Sequence, residues 1–402
     1  MVAACAVAEG PRYVFFNLAP GANWSQDRPE SITPALFREV VDRIDAPENP
    51  ELRVGVSLVF SVLNSPPERL LAGVDAALTA SRSSGVPILI AFDGQNWWEN
   101  RPDLWNWWDP TKPGYDPKNV ENVEWTGPKP ESAVKIGWRN WGGQIRVAPA
   151  QNLLSPRVLA ETKAAMRPLL ERVKVWEISL GESEKVLYGG LKIGWETGLG
   201  YNAFYYPRGN FYHETWPDDP SHDPTTGIDL ERGLFGGTVP LGYGAMVSGG
   251  ISTADGVTRD RLGEVVSRYL GELVRFATTL GIKQDTIFTH QGGTYETRLK
   301  HMPYWPALHA NAIPGWSFYG CAPTIPSELD ETMEERGQNS WCAAEWWWGA
   351  QEKSGWLEHF QKTFSYRDCR FVCVYNWDHG GFKDQPGAIE AVRELVATWE
   401  KE

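Results

Sequence analysis

The chain has 402 residues, of which 42% are hydrophobic, and a formal net charge of -13. This is the composition of a globular protein with enough apolar material for a large core. The negative charge argues against nucleic acid as a partner, because binding a polyanion requires clustered Lys and Arg. No apolar run approaches the roughly 20 residues that cross a bilayer, so no membrane partner is expected either.

The chain start and the cysteines give no processing or metal motif. The first ten residues are small and apolar but lack the basic segment and long apolar stretch of a signal peptide, which leaves the compartment open between cytoplasm and export. The cysteines show no CxxC spacing, so neither a zinc site, a disulfide framework nor a cofactor is expected. They are Cys5, Cys321, Cys342, Cys369 and Cys373. Oligomeric state is open at this stage.

Along the chain, short β-branched and aromatic runs alternate with amphipathic helical patterns. This order is typical of parallel strands joined by crossover helices. Eight runs are predicted as strands, at 13–19, 54–63, 86–92, 191–195, 285–289, 313–318, 341–345 and 371–375.

Three predicted helices begin with a hydroxyl residue followed by Pro, a pair favoured at helix starts. The pairs are Thr33–Pro34, Ser65–Pro66 and Ser155–Pro156, and the helices end near residue 44, near residue 82 and within 176–180. Further helices are predicted at 259–280, 327–336, 351–364 and 388–399.

Eight strand-and-helix units predict a closed (β/α)8 TIM barrel, with a doubly wound open sheet as the alternative. Because no linker interrupts the pattern, one catalytic domain over 1–402 is expected. Two long insertions, at about 94–154 and 197–258, follow the third and fourth strands. Both should rise from the C-terminal face, where barrel enzymes keep their active sites.

Two glutamates are placed to work as a pair at that face. Glu196 ends the fourth strand in LKIGWE, and Glu345 ends the seventh strand in SWCAAEW. Cleaving a glycosidic bond needs one carboxylic acid to protonate the leaving oxygen and a second carboxylate to attack or to activate water. The alternative for each is a rim carboxylate paired with Arg or Lys. Glu182 and Glu184 are competitors that we assign to the loop beneath the barrel.

Residues at or just past the strand ends are predicted to line a substrate pocket. They are Asn17, Asn64, Asp93, Trp97, Trp98, His290, Gln291, Trp316, Tyr319, Asn376 and Trp377. Asp93 is the best acidic candidate after the pair, ahead of Glu296 and Asp378. Tyr319 is expected either to hydrogen-bond the nucleophile or simply to pack. Trp377 is expected to lie beneath a sugar ring, whose C–H face stacks well on an indole.

Tryptophan is unusually abundant, with 21 residues. Five of them fall within a dozen residues of the first insertion among Asn, Asp and Glu: Trp97, Trp98, Trp105, Trp107 and Trp108. They form either the walls of outer sugar subsites or a small hydrophobic core that pins the insertion. Both interpretations are open.

With Glu196 on the fourth strand and Glu345 on the seventh, the chain resembles the retaining β-glycosidases of clan A, which include the family 42 β-galactosidases. The resemblance implies a carbohydrate substrate, Glu196 as acid/base, Glu345 as nucleophile and a role for Tyr319 beside it. Clan members usually carry Asn just before the acid/base, contacting the sugar 2-hydroxyl, whereas this chain has Trp195. It therefore resembles a divergent relative more than a member of family 42.

The sequence thus predicts a retaining O-glycosyl hydrolase acting on β-linked glycosides. One alternative is a metal-dependent barrel hydrolase using His290, Asp378 and His379, although no HxH or HExxH spacing supports it. The other is a carbohydrate-binding barrel without catalysis.

Overall fold

Eight parallel strands close into a barrel in the computed structural model. The structure describes residues 10–18, 28–135, 137–140, 144–199, 201–202, 239–292, 302–320, 323, 327–350, 352–378 and 381–400. The strands are β1 (Arg12–Asn17), β2 (Leu52–Ser61), β3 (Ile88–Asp93), β4 (Gly137–Asn140), β5 (Gln144–Val147), β6 (Tyr188–Thr197), β7 (Tyr201–Asn202), β8 (Val239–Pro240), β9 (Ile287–Gln291), β10 (Gly315–Tyr319), β11 (Ser340–Trp347) and β12 (Asp368–Val374).

The barrel order is β1-β12-β11-β10-β9-β6-β3-β2, while β4 with β5 and β7 with β8 form small antiparallel pairs outside it. The predicted (β/α)8 barrel is confirmed, and the open sheet is excluded because β1 pairs with both β2 and β12. All eight predicted strands overlap barrel strands. In this numbering β6 is the fourth barrel strand and β11 the seventh.

Seven of the nine described α-helices lie where the sequence predicts them, and two short ones, at 102–105 and 243–248, lie in the insertions and were not predicted. The nine are α1 (Pro34–Ile44), α2 (Pro67–Ser84), α3 (Pro102–Trp105), α4 (Pro156–Ser179), α5 (Tyr243–Ser248), α6 (Arg259–Thr279), α7 (Ser327–Glu335), α8 (Lys353–Ser365) and α9 (Pro386–Thr398). None of the described helices is long and apolar enough to cross a membrane.

Two of the three predicted caps form, and one does not. The hydroxyls of Thr33 and Ser155 accept hydrogen bonds from the backbone N–H groups of Leu36 and Val158. Ser65 does not cap α2, which begins at the second of two adjacent prolines. Pro67 disfavours helical backbone at the residue before it, and Pro66 accordingly has an extended ψ of 145°.

The eight-unit pattern implies a helix after every strand, although none was located in the sequence between the fifth and sixth predicted strands, and the connection between β9 and β10 departs from the pattern. Its described part, residues 302–314, forms one 3-10 turn at Trp305–Ala307 in place of an α-helix. Backbone bonds from Ile313 N to Ile287 O and from Thr289 N to Ile313 O hold this segment on β9. Residues 302–314 are therefore an irregular segment that is hydrogen-bonded to β9.

The barrel has an apolar lower interior and a polar upper interior. Alternation along the strands points one set of apolar side chains inward: Tyr13, Phe15, Leu89, Phe288, Ile313, Cys342, Ala344, Phe371 and Cys373. Toward the C-terminal mouth the inward residues become polar. Ser57, Lys192 and His290 are fully buried there, and Ser317 is 6% exposed. A polar layer therefore lies directly beneath the mouth.

The two insertions are tied together by a buried carboxylate. Glu124 in the first insertion is fully buried, and its Oε1 accepts a 3.2 Å hydrogen bond from the backbone N–H of Ala245 in α5. Burial raises the pKa of Glu124 to about 8, against the opposing effect of backbone N–H donors. The contact joins residues far apart in sequence above the barrel.

Candidate active site

A β-bulge in β11 aims Glu345 into the mouth of the barrel. Trp316 of β10 pairs with Ala343, whereas the next residue, Ser317, pairs with Glu345, so Ala344 is an extra residue on β11. Bulges of this kind re-aim the side chain that follows. Glu345 is 2% exposed, and it reaches partners on β6 and β10.

An irregular segment of β6 carries Glu196. Between the positions paired as Ile193 with Thr289 and Thr197 with Gln291, β6 has two more residues than β9. Glu196 lies in this segment with a φ of 49°, in the left-handed region, and its side chain is half-buried. Such backbone costs about 1–3 kcal/mol and is concentrated at functional sites.

The hydroxyl of Tyr319 lies between the two glutamates. It is 2.5 Å from Glu345 Oε1 and 3.1 Å from Glu196 Oε1. The nearest oxygens of the two carboxyl groups are therefore no farther apart than the sum of these distances. A phenol has one proton, so Tyr319 donates to one carboxylate and can accept from the other carboxyl group when that group is protonated.

Trp195 supplies a second hydrogen bond to Glu345. Its indole N–H donates to Glu345 Oε2 at 2.7 Å, and the ring is buried in a cluster with Val59, Ala91 and Trp97. Each oxygen of Glu345 thus has a neutral donor. Clan A enzymes usually have Asn directly before the acid/base. In this chain that position is Trp195, and its indole N–H binds the candidate nucleophile Glu345.

The surroundings of Glu345 have opposite effects on its pKa. Burial, and then the nearby Glu196 carboxylate, raise the pKa of Glu345 to about 7, while Lys192 and the bonds from Tyr319 and Trp195 act to lower it. The ionisation of Glu345 is therefore set by the balance between these opposing groups.

Asn17 and His290 also lie at this level of the barrel. Asn17 is 5% exposed, and its Oδ1 has no hydrogen-bond partner among the described residues. His290 Nε2 is 2.9 Å from Ser317 Oγ. Burial, reinforced by the charge of Lys192, holds the pKa of His290 well below its usual value, so the ring is neutral.

Other predicted pocket residues hold the surrounding loops. Gln291 is fully buried and donates to Pro303 O at 2.6 Å, and the backbone carbonyl of Asn64 accepts from Asn100 Nδ2 at 2.6 Å. Asn376 follows β12 with a φ of 46° and is half-buried.

Asp93 anchors the start of the first insertion. Its Oδ2 accepts from Ser61 Oγ at 2.9 Å, and its Oδ1 accepts from the backbone N–H groups of Gln95 and Asn96, each at 3.0 Å. The side chain is 1% exposed. Both oxygens are used within the fold, so Asp93 shapes the loop above β3.

Two of the predicted pocket tryptophans point away from the barrel interior into the outer core. Trp316 is fully buried on the outer face of β10, where it donates to Tyr304 O at 3.1 Å, because alternation turns it opposite to Ser317 and Tyr319. Trp377 is fully buried against Phe16 of the outer layer, with ring centroids 5.1 Å apart. Both rings are therefore packed in the outer layer of the fold, whereas a position beneath a sugar ring was expected for Trp377.

The loop tryptophans mostly build a small core. Trp98, predicted to line the pocket, is 1% exposed and donates to Pro149 O at 2.9 Å, so its ring is packed inside the insertion. Trp105 donates to Trp98 O at 3.0 Å, Trp107 donates to Val134 O at 3.1 Å, and Trp108 packs on both rings. Trp97 differs, since it packs on Trp195 at the mouth.

Two residues near the pair were not predicted. Lys192 is fully buried, and its Nζ donates to Ala344 O at 2.9 Å. Tyr375 is half-buried with its ring 5.8 Å from that of Tyr319. A lysine inside an apolar strand was visible in the LKIGWE run and indicates a buried charge that needs a partner.

Two other candidate carboxylates lie in surface ion pairs, and the described residues offer no metal site. Glu184 pairs with Arg82 at 2.7 Å beneath the barrel, and Asp378 pairs with Lys383 at 2.9 Å. His379 and Glu296 lie outside the described residues. Among the residues that the structure describes, no three His, Cys, Asp or Glu side chains are grouped to hold a metal ion.

Comparison with known proteins adds little beyond this. No family model and no curated protein matches the chain. One similar solved structure is GH26A from a Muricauda species, with 10% identity, a TM-score of 0.43, and coverage of 96% of this chain and 89% of that one. Another is a ruminal GH26 endo-beta-1,4-mannanase, with 9% identity, a TM-score of 0.45 and coverage of 98% of this chain. The present chain spans 64% of that protein's length. Likenesses this weak do not bear on activity, and neither description names family 42.

Proposed function

We propose that the protein is a retaining glycoside hydrolase that cleaves β-linked glycosides with Glu345 as nucleophile and Glu196 as acid/base. The main support is that the Tyr319 hydroxyl lies within hydrogen-bonding distance of the carboxyl groups of both Glu345 and Glu196. Those distances limit the gap between the nearest oxygens to less than the roughly 6.5–9.5 Å of inverting enzymes, and they suit the roughly 5–5.5 Å of retaining ones.

The hydrogen bonds also favour the assigned roles. Glu345 receives donors on both oxygens, from Tyr319 and Trp195, and so is the better site for a negative charge. With its proton given to Glu345, Tyr319 can accept one from Glu196. The first step needs a charged Glu345 and a protonated Glu196, and the two donors to Glu345 favour the first of these conditions.

In the first step Glu345 attacks the anomeric carbon, the bond to the leaving oxygen breaks, and the proton of Glu196 moves to that oxygen. In the second step Glu196 takes a proton from water, the water oxygen bonds to the anomeric carbon, and the bond to Glu345 breaks. Two inversions give net retention of the β configuration.

Azide rescue separates the two roles. Glu345→Ala should lose turnover of an aryl β-glycoside by well over about 10²-fold and give an α-glycosyl azide when azide is added, because one inversion remains. Glu196→Ala should give a β-glycosyl azide with a substrate that has a good leaving group. The matched control is Glu182→Ala, whose side chain is 87% exposed beneath the barrel.

Wild-type turnover in Glu345→Ala would rule out the assignment. The same azide anomer from both variants would contradict the division of roles between the two glutamates.

A further inference from the structure

Lys192 carries a positive charge inside the barrel, beneath the glutamate pair. It is fully buried on β6, four residues before Glu196. A buried ammonium is unfavourable unless an anion and hydrogen-bond acceptors compensate for its lost hydration. The groups that contact Lys192 therefore indicate which interactions compensate its buried charge.

The partner of its Nζ is the carbonyl oxygen of Ala344, 2.9 Å away. Ala344 is the extra residue of the β11 bulge, directly before Glu345. The bond therefore crosses the barrel from β6 to the irregular peptide that aims Glu345.

The groups that face Glu345 come from several strands. They are Glu196 and Lys192 on β6, Tyr319 on β10, and Cys373 and Tyr375 at β12 and just beyond it. His290 on β9 faces Lys192 and is neutral. Lys192 is the positive charge in this set, while Glu196 is a like charge that disfavours an anion at Glu345.

We infer that Lys192 is a positioning residue that fixes the β11 bulge through Ala344 and supplies the counter-charge that keeps Glu345 ionised beside Glu196. Its catalytic consequence rests on the proposed function, but the charge relationship itself can be measured without a substrate.

The bulge bond and the charge are separable by substitution. Lys192→Met removes both at similar length, whereas Lys192→Gln removes the charge and retains an N–H donor. Loss of the charge disfavours the Glu345 carboxylate, so the pKa of Glu345 should rise by about one to three units in both variants. Turnover near neutral pH should fall in parallel, since more Glu345 is protonated.

The indole N–H of Trp195 reports directly on Glu345 because it donates to Oε2. Titration of its NMR resonance in protein labelled with 15N-tryptophan, assigned by its loss in Trp195→Phe, gives the midpoint for Glu345. Repeating the titration in a Glu196→Gln background removes the second carboxyl group. The control is Lys174→Met on α4, which removes another lysine bond to a backbone carbonyl, the 2.8 Å bond from Lys174 Nζ to Leu280 O.

An upward shift of the midpoint in Lys192→Met and Lys192→Gln, with none in Lys174→Met, is the expected result. A midpoint indistinguishable from that of the wild type in both Lys192 variants would overturn the inference. If the midpoint moves but no glycoside is cleaved, the proposed function fails and the charge relationship stands.

Loss of folding is also informative. If Lys192→Met does not fold, the double variant Lys192→Met/Glu345→Gln should recover stability, because it no longer buries an uncompensated carboxylate. Equal instability of the single and double variants would show that Lys192 serves the fold without serving the charge of Glu345.

Discussion

Trp195 donates its indole N–H to Oε2 of Glu345 across the barrel mouth, 2.7 Å away, although it is the chain neighbour of Glu196. The residue beside one carboxyl group therefore orients the other. The irregular end of β6 therefore carries Glu196 itself and also contacts Glu345 through Trp195.

Replacing Trp195 with Phe removes this donor and keeps most of the ring. Because a hydrogen bond to the carboxylate favours its charged form, the acid limb of the kcat/KM profile should move upward by about one pH unit. The pH dependence of aryl glycoside hydrolysis measures this. Trp346→Phe is the control, since that neighbouring indole bonds to Thr363 on the outer face. An unmoved acid limb in Trp195→Phe would contradict the role given to the indole.

Gly292 is predicted to set the position of Glu196. A Cβ at Gly292 would lie 2.6 Å from the Glu196 Cβ and 2.7 Å from its carbonyl oxygen, so Gly292→Ala must displace the left-handed residue. Displacement of a catalytic group by about 1 Å can lower the rate by about 10²-fold, and kcat/KM should fall accordingly.

Gly198→Ala is the matched control, because its added Cβ would meet nothing closer than 3.6 Å. Equal activities of the two alanine variants would show that the backbone at Glu196 tolerates movement.

The pH profile tests the coupling of the pair. Burial and the charge of Glu196 raise the pKa of Glu345 to about 7, and attack requires the ionised form, so kcat/KM should fall as the pH drops through about 7. Glu196→Gln removes the like charge. With a substrate whose leaving group needs no acid, the acid limb of this variant should move to lower pH.

The exposed Glu182→Gln serves as its control and should leave the limb in place. An acid limb that stays put or rises in Glu196→Gln would mean that the two carboxyl groups do not interact as the geometry indicates.

Glu124 gives a prediction about stability. Its pKa in the folded protein is raised to about 8 from an ordinary 4.5, so the folded state binds the extra proton. Stability from this group is complete below about 4.5 and is lost as the pH rises toward 8. Glu124→Gln has no such loss, so its stability relative to wild type should improve between pH 5 and pH 8.

Urea unfolding at both pH values measures the difference. Glu131→Gln, at an exposed position of the same insertion, should show no such trend. A relative stability of Glu124→Gln that is constant with pH would contradict the buried state of this carboxyl group.

The barrel was predictable because each strand and helix carries local features. Thr33 and Ser155 mark helix starts, and the apolar runs mark the strands that bring Glu196 and Glu345 to one face. Bulges were not predictable, since Ala344 looks like an ordinary strand residue. The face of the sheet on which a side chain lies is equally hard to predict, because a shift of one residue turns a strand side chain to the opposite face.

Trp316 and Trp377 illustrate that difficulty. Both lie near strand ends, as the pocket residues should, but both turn outward into the helical layer. Proximity to a strand end predicted their height along the barrel axis but not that their side chains lie on the outer face of the sheet. Lys192 was missed for the converse reason, since its meaning depends on a carbonyl 152 positions away.

Trapping the covalent intermediate tests the central claim most directly. Incubation with 2-deoxy-2-fluoro-β-glycosyl fluorides, followed by peptide mass spectrometry, should place one sugar on Glu345 of the wild-type protein and none on Glu345→Gln. A sugar attached to any other residue, or a substrate hydrolysed with inversion and no trapped species, would contradict a double displacement by this pair.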